Sequence, residues 1–408
     1  DSLPRATTRA HIAMTSRAHN RHAGQIPLWR DARVLRIAAQ VAIVAVVGLL
    51  LVFMASNMLT AMDSRGLGFG FNFLNRQAGF EIGQTLISYS AAETYGRAFL
   101  VGLLNTLVIS VAGIILATIL GTLLGIARLS PNWLLSRIAG AYVELFRNTP
   151  LLVQLVILYF AVFLQLPRVN QSFAIGDVAF LNQRGLYLPS PQPGASLPTW
   201  LGLVIVGITV AVVARWVARR LEDQGRPSHR LRTVGVVTML ALPIVGWFAV
   251  GGAPLAFEVP VLGRFNFSGG LELSSSFAAL LTGLVLYTAA FIGEVVRGGI
   301  QAVRHGQREA ARALGMSEGQ VLHLVIFPQA MRVIVPPLTS QYLNLAKNSS
   351  LGIAVLYPDL FSVGRTMANQ TGQPVSVIIL MMGTYLAISI VMSLVMNLYN
   401  RRVQVTER

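Results

Sequence analysis

The sequence has no cysteine, which excludes a disulfide framework and any thiolate-held metal. Its six histidines include no HExxH pair, and no GxxxxGKS/T phosphate loop occurs, so any ATP hydrolysis must come from another chain. Charge is scarce too. Only 12% of the 408 residues are charged, 54% are hydrophobic, and mean hydropathy is +0.62, which excludes an ordinary soluble domain and points to an all-α polytopic membrane protein. The net charge of +16 comes from arginines clustered beside apolar runs. That placement follows the positive-inside rule and argues against a nucleic-acid partner.

Residues 1–36 carry seven arginines and read as a disordered cytoplasmic basic arm, with Met14 expected as the natural start. The region 37–97 then holds a first membrane helix, about Ile37 to Met58, and a loop. Its apolar run exceeds the length of a signal-peptide core and reaches the about 20 residues needed to span hydrocarbon, so it is expected to be retained. The region 98–165 supplies helices two (Ala98 to Leu129) and three (Ala139 to Leu166), with Arg128, Arg137 and Arg147 marking an inside turn. The region 166–273 is expected to be an inserted block: a proline-rich external loop, then helices four (Trp200 to Ala218) and five (Val234 to Val250), joined by an arginine-rich inside connection. Finally, 274–408 holds helices six (Phe277 to Ile300), seven and eight (Val375 to Tyr399). Eight spans with both termini inside satisfy the arginine bias at every turn.

Between helices six and seven lies a polar stretch, Gly306 to Pro328. Gln307 to Leu314 are mostly good helix formers, Gly315 stands where a left-handed residue ends a helix, and Ser317 with Gln320 reads as a capping box. The expectation is helix, sharp turn, helix, with Ala310, Ala311 and Ala313 forming a small-residue surface. Arg308, Glu309 and Arg312 show no nucleophile and base pattern, so no catalytic residue is expected.

Other polar groups interrupt apolar sequence. Glu294 either faces a cavity or pairs with Arg297 three residues on. Lys347-Asn348-Ser349-Ser350 breaks the run after helix seven, as a site for a carboxylate at a broken helix or as an external loop. Asn105, Thr106 and Gln154 are candidates to line a central path, or to hydrogen-bond neighbouring helices. Arg147-Asn148-Thr149-Pro150 is read as opening helix three, with proline in its first turn.

Glu309-Ala310-Ala311, Gly315 after three intervening residues, and Val325-Ile326-Phe327-Pro328 after nine more resemble the EAA motif of permease subunits of binding-protein-dependent ABC importers. Three further segments resemble signatures of the polar-amino-acid (histidine and glutamine) permeases: Val143 to Gln154, Glu294 to Ile300, and Lys347 to Leu351. Length and extra helices are similar to the larger permease of general or acidic L-amino-acid importers. The resemblance implies a type I fold in which helices two, three, six, seven and eight form a five-helix core. It implies a bacterial inner-membrane location, a dimer of ATPase subunits that use ATP and Mg, a second permease, expected to be a paralogue, and a periplasmic amino-acid-binding protein, with no cofactor held by this chain. It assigns Gln307, Arg308, Glu309, Ala310, Ala311, Arg312 and Gly315 to ATPase coupling. Asn105, Thr106, Gln154, Glu294 and Lys347 to Ser350 are assigned to the path of an amino-acid substrate. Asn348 stands where members for basic amino acids carry Asp, which favours a broad or acidic range. The competing classes are an ion-coupled secondary transporter, active without an ATPase, and a membrane scaffold that binds without flux.

Overall fold

The computed structural model describes residues 32–64, 70–249 and 254–403. Of the expected arm, residues 1–31, including Met14, lie outside these, while 32–36 begin a helix. The chain forms two units, Asp1–Gly68 and Phe69–Arg408. The first contributes α1 (Ala32–Ser64), an uncharged apolar helix over most of its 33 residues.

In the second unit the helices are α2 (Tyr95–Ala127), α3 (Trp133–Asn148), α4 (Leu151–Ile157), α5 (Leu197–Asp223), α6 (His229–Ala249), α7 (Ser275–Gln301), α8 (His305–Ala313), α9 (Glu318–Gln320), α10 (Phe327–Asn348), α11 (Leu360–Thr371) and α12 (Pro374–Val403). Among the described residues seven helical segments of the whole chain are long and apolar enough to cross a membrane. They become eight, as expected, when α3 and the α4 segment, bent by 103° to one another, count as one span. Here the structure departs from the sequence reading. Pro150 does not open a long third helix but separates two, the first turn of α4 starting after it. A proline carries no N–H, so the break leaves no donor stranded there.

The core is built on α2 against α7, with α10, α11 and α12 packed around them. Lipid offers apolar groups as good a solvent as another helix does, so close packing must bring these helices together. Gly121 and Gly125 permit it: a Cβ at Gly121 would lie 2.6 Å from Ile292 Cβ, and one at Gly125 2.7 Å from Gly293 O. At this contact Ala117, Ile292, Ile334 and Leu345 form one buried cluster, and Ile109, Leu155, Leu280 and Leu284 form another.

The loops beside the α5–α6 hairpin contain strands that the all-helical expectation did not foresee. β1 (Phe173–Ile175), β2 (Ala179–Asn182), β3 (Gly185–Leu188), β4 (Ser190–Pro193), β5 (Leu255–Glu258), β6 (Val261–Leu262), β7 (Phe267–Ser268) and β8 (Leu271–Ser274) form three small antiparallel sheets. Because β3 pairs with β8 and β4 with β5, the chain entering the hairpin is bonded to the chain leaving it. Tyr187 is buried between them, donates to Asn266 and Glu272, and has its phenol pushed up to about 12, chiefly by burial and then by the Glu272 charge.

Candidate functional site

The polar stretch folds as a helix, an elbow and a second helix. α8 begins at His305, earlier than expected, and ends in a paired C-cap: Gly315 N–H donates to Arg312 O (2.9 Å) and Met316 N–H to Ala311 O (3.2 Å). Gly315 has φ +76°, a conformation that costs an L-residue about 1–2 kcal/mol. Ser317 then caps α9, with Ser317 N–H donating to Gln320 Oε1 (2.9 Å) and Gln320 N–H to Ser317 Oγ (3.4 Å). α9 runs through a π-helical stretch, Val321–Ile326, into α10. Across the elbow Arg312 Nε donates to Glu318 Oε1 at 2.7 Å, and this bond holds the Arg312 guanidinium above its ordinary value. Gln329 Nε2 donates to Gln307 Oε1 at 3.4 Å, a second tie between α8 and α10.

The alanines divide. Ala311 is buried against Val321 and Ile326 inside its own chain, whereas Glu309, Ala310 and Ala313 are exposed. The expected surface of three alanines is therefore two, because consecutive helical residues lie about 100° apart and Ala311 points inward. Leu314, at the end of α8, is 82% exposed, and the sequence marked it only as the last residue of that helix. Its only sign there is an apolar residue immediately before the terminating glycine. Beside α8 a cleft of about 360 Å³ is lined by Arg304, Gln307, Gln329 and Arg332.

The path candidates do not gather in one place. Asn105 and Thr106 are wholly buried within the subunit. Asn105 Nδ2 donates to Gln84 O and Pro358 O, both at 2.9 Å, and Thr106 Oγ1 accepts from Leu360 N–H at 2.9 Å. They fasten the segment before α11 to α2. Tyr357 and Asp359 complete the fastening: Tyr357 OH donates to Asn105 O at 3.1 Å, and Asp359 caps α11 through Phe361 and Ser362 N–H. Asp359 carries the local mark of a helix N-cap, whereas no short-range pattern marks Tyr357. Gln154 spans the α3–α4 break, with Nε2 donating to Phe146 O (3.0 Å), Thr149 O (3.1 Å) and Thr149 Oγ1 (2.6 Å).

Glu294 pairs with Arg297 and also with Arg128 at the end of α2, so its carboxylate is satisfied by two guanidiniums and ties α2 to α7. Lys347 stands apart from these. It is the chain's one lysine, lies in the last turn of α10, and is exposed. Its ammonium has no hydrogen-bond or ion-pair partner among the described residues. Beyond it the helix tightens to 3₁₀ over Ser349–Val355 and stops at Leu356, whose φ of 60° is left-handed. Ser349 is buried, its Oγ donating to Ala346 O, whereas Asn348 and Ser350 are part-exposed beside Lys347. The site thus contains two separate parts joined by α10, the elbow at one end and Lys347 at the other.

The fold is that of a multi-span helical membrane protein with a polar helical elbow between two of its spans. Residues 111–405 match the family described as binding-protein-dependent transport system inner membrane component, and the chain belongs to that family. It is 46% identical over 374 residues to the putative amino-acid ABC transporter permease protein YhdX of Escherichia coli K12, covering 91% of this chain and 94% of the relative. It is 44% identical to the general L-amino acid transport system permease protein AapQ of Rhizobium johnstonii, over 87% and 89% of the two chains. To the glutamate/glutamine/aspartate/asparagine transport system permease protein BztB of Rhodobacter capsulatus it is 39% identical, over 93% and 96%.

Proposed function

We propose that this chain is the transmembrane permease subunit of an ATP-driven importer of L-amino acids. It works with a pair of ATPase subunits that use ATP and Mg, a second permease, taken to be a paralogue, and a periplasmic amino-acid-binding protein. It is not itself an enzyme. The chain sits in the inner membrane with both termini in the cytoplasm. The observation that carries the reading is the α8 elbow, capped at both helix ends and exposing Glu309, Ala310, Ala313 and Leu314. An exposed, short and strongly polar helix is marginal alone, since isolated helices under about 12 residues gain little from propensity. A partner's groove explains it.

In this reading Glu309, Ala310, Ala313 and Leu314 enter the ATPase, with Gln307, Arg308 and Arg312 at the margin of the contact. Ala311 and Gly315 hold the shape of the elbow. The Arg312 to Glu318 bond and the Ala311 packing make α8 and the start of α10 move as one body. α10 is about 33 Å long at 1.5 Å per residue, and it leads from the elbow to Lys347. Pro336 and Pro337 lie between them. Each removes a backbone bond, to Arg332 O and Val333 O, so bending concentrates there. A displacement at α8 is thereby delivered to α10 with a hinge in its middle. The cycle turns only because its two states differ in affinity for nucleotide and for the loaded binding protein.

Lys347, with Asn348 and Ser350, lines the substrate path, the ammonium facing the amino acid's carboxylate. Asn105, Thr106, Gln154, Glu294 and Ser349 act on the path indirectly, by fixing the segments around it. A secondary transporter would need no ATPase and leaves the exposed elbow without a role. Co-purification decides between them: the wild-type chain is expected to bring down an ATPase, and Glu309→Lys to lose assembly or transport-coupled ATP hydrolysis. Uptake by proteoliposomes holding this chain alone would overturn the reading.

A further inference from the structure

The coupling scheme makes no use of the α5–α6 hairpin. Its two helices pack chiefly on each other, with Gly207, Ala214 and Ala218 of α5 and Gly235 and Gly246 of α6 buried. Trp200 Nε1 also donates to Pro243 O at 2.9 Å. The outward faces are exposed and apolar, as lipid contact requires.

Two features go beyond general lipid contact. A groove of about 320 Å³ runs between the helices, lined by Thr209, Val210, Val213, Val217, Leu231 and Val234. Toward and past its loop end, the last turns of α5, the connection and the first turn of α6 carry Arg215, Arg219, Arg220, Arg226, Arg230 and Arg232 against Glu222 and Asp223. Glu222 is already engaged by Arg232 and Ser228. Among the described residues the other five arginines have no carboxylate partner. Helical spacing puts Arg220 on the groove face, three residues after Val217, and Arg230 four residues before Val234. The Arg220 guanidinium is stacked 3.7 Å from the centre of the Trp216 ring, an aromatic of the kind that settles at headgroup height.

An acyl chain fits the groove, and a phosphate without a compensating ammonium fits the arginines. A zwitterionic headgroup would bring its cation against the Arg220 and Arg230 guanidiniums, and a soluble phosphate would leave the groove unused. We propose that the α5–α6 hairpin is a binding site for one anionic phospholipid, its acyl chain in the Val213 groove and its phosphate on Arg220 and Arg230.

The test uses the full-length chain in detergent, with retained lipid measured by native mass spectrometry during titration with phosphatidylglycerol or phosphatidylcholine of equal chain length. The wild type is expected to retain phosphatidylglycerol selectively. The double variant Arg220→Gln, Arg230→Gln is expected to lose about thirtyfold of that preference, since each of the two arginines at an anionic surface contributes about 1 kcal/mol. Val213→Trp, which fills the groove and keeps every arginine, should lose retention similarly, with gel filtration checking that both variants remain monodisperse. Should Val213→Trp fail to fold, the double variant decides alone. Equal retention of the two lipids by the wild type, or unchanged preference in the double variant, would overturn the proposal. Displacement by glycerophosphoglycerol or inorganic phosphate alone would overturn it too, leaving an anion site without a lipid.

Discussion

Arg312 and Glu318 meet at 2.7 Å across Gly315, bonding the last turn of α8 to the first residue of α9. Both side chains are well exposed, and such a pair contributes little to stability in water. Its effect is on stiffness: without it, α8 can swing about the glycine. Glu318→Ala is expected to leave the melting temperature of the assembled importer unchanged while lowering transport per ATP hydrolysed. Equal stoichiometry of transport to hydrolysis in variant and wild type would show that the elbow is stiff without the pair.

Gly315 itself gives a graded test. No atom lies within 4 Å of where its Cβ would be, so only the backbone conformation opposes a side chain. Gly315→Asn should be tolerated best, because asparagine adopts left-handed geometry readily. Gly315→Ala should cost about 1 kcal/mol and Gly315→Val more. Thermal denaturation should follow that order, and a flat series would mean that the elbow rearranges to avoid the strain.

The contact between α2 and α7 predicts a contrast between two glycines. A Cβ at Gly121 meets Ile292 at 2.6 Å, whereas nothing lies within 4 Å of one at Gly140 in α3. Gly121→Ala is therefore expected to destabilise the chain by about 1–3 kcal/mol through overpacking. Gly140→Ala should be neutral or slightly stabilising, since alanine is the better helix former. Fluorescence-detected gel filtration after heating compares them directly.

These contrasts also mark what the sequence disclosed. Span positions and the elbow were legible because their signals are local: apolar runs of sufficient length, arginines at their ends, Gly315, and Ser317 with Gln320. The α3–α4 bend was not, because proline in a first turn and proline at a break present the same letters. The sequence left Asn105 open between lining a path and bonding a neighbour, since its partners, Gln84 and Pro358, are 21 and 253 residues distant. Ala311 resembled Ala310 in sequence, and only the packing of Val321 and Ile326 separates them. The strands near α5 and α6 are two to four residues long, too short for alternation to be seen, and β3 with β8 and β4 with β5 pair across the whole hairpin.

Gln154 should behave as a brace. Its amide serves Phe146 O, Thr149 O and Thr149 Oγ1 at the break, where the helix leaves carbonyls without donors. Gln154→Leu keeps the volume and strands those acceptors, at an expected cost of about 1–3 kcal/mol. The loss should appear as less folded protein at elevated temperature, with the apparent affinity for substrate unaltered in the molecules that remain. A changed affinity at full stability would instead place Gln154 on the path.

Lys347 allows the sharpest test, because the chain has no cysteine to interfere. Its exposed ammonium has no partner of its own among the described residues, so removing it should leave folding intact and act on substrate alone. Lys347→Ala is expected to weaken apparent affinity in uptake or slow uptake, and Lys347→Arg to recover part of it by restoring a cation. Lys347→Cys adds a geometric readout: if the position lines the path, a small thiol-reactive reagent should inactivate transport, and amino-acid substrate should slow that reaction. A fully reactive cysteine that substrate does not protect, with unchanged uptake by Lys347→Ala, would put the lysine on a surface outside the path. α10 would then join the elbow to some other polar group.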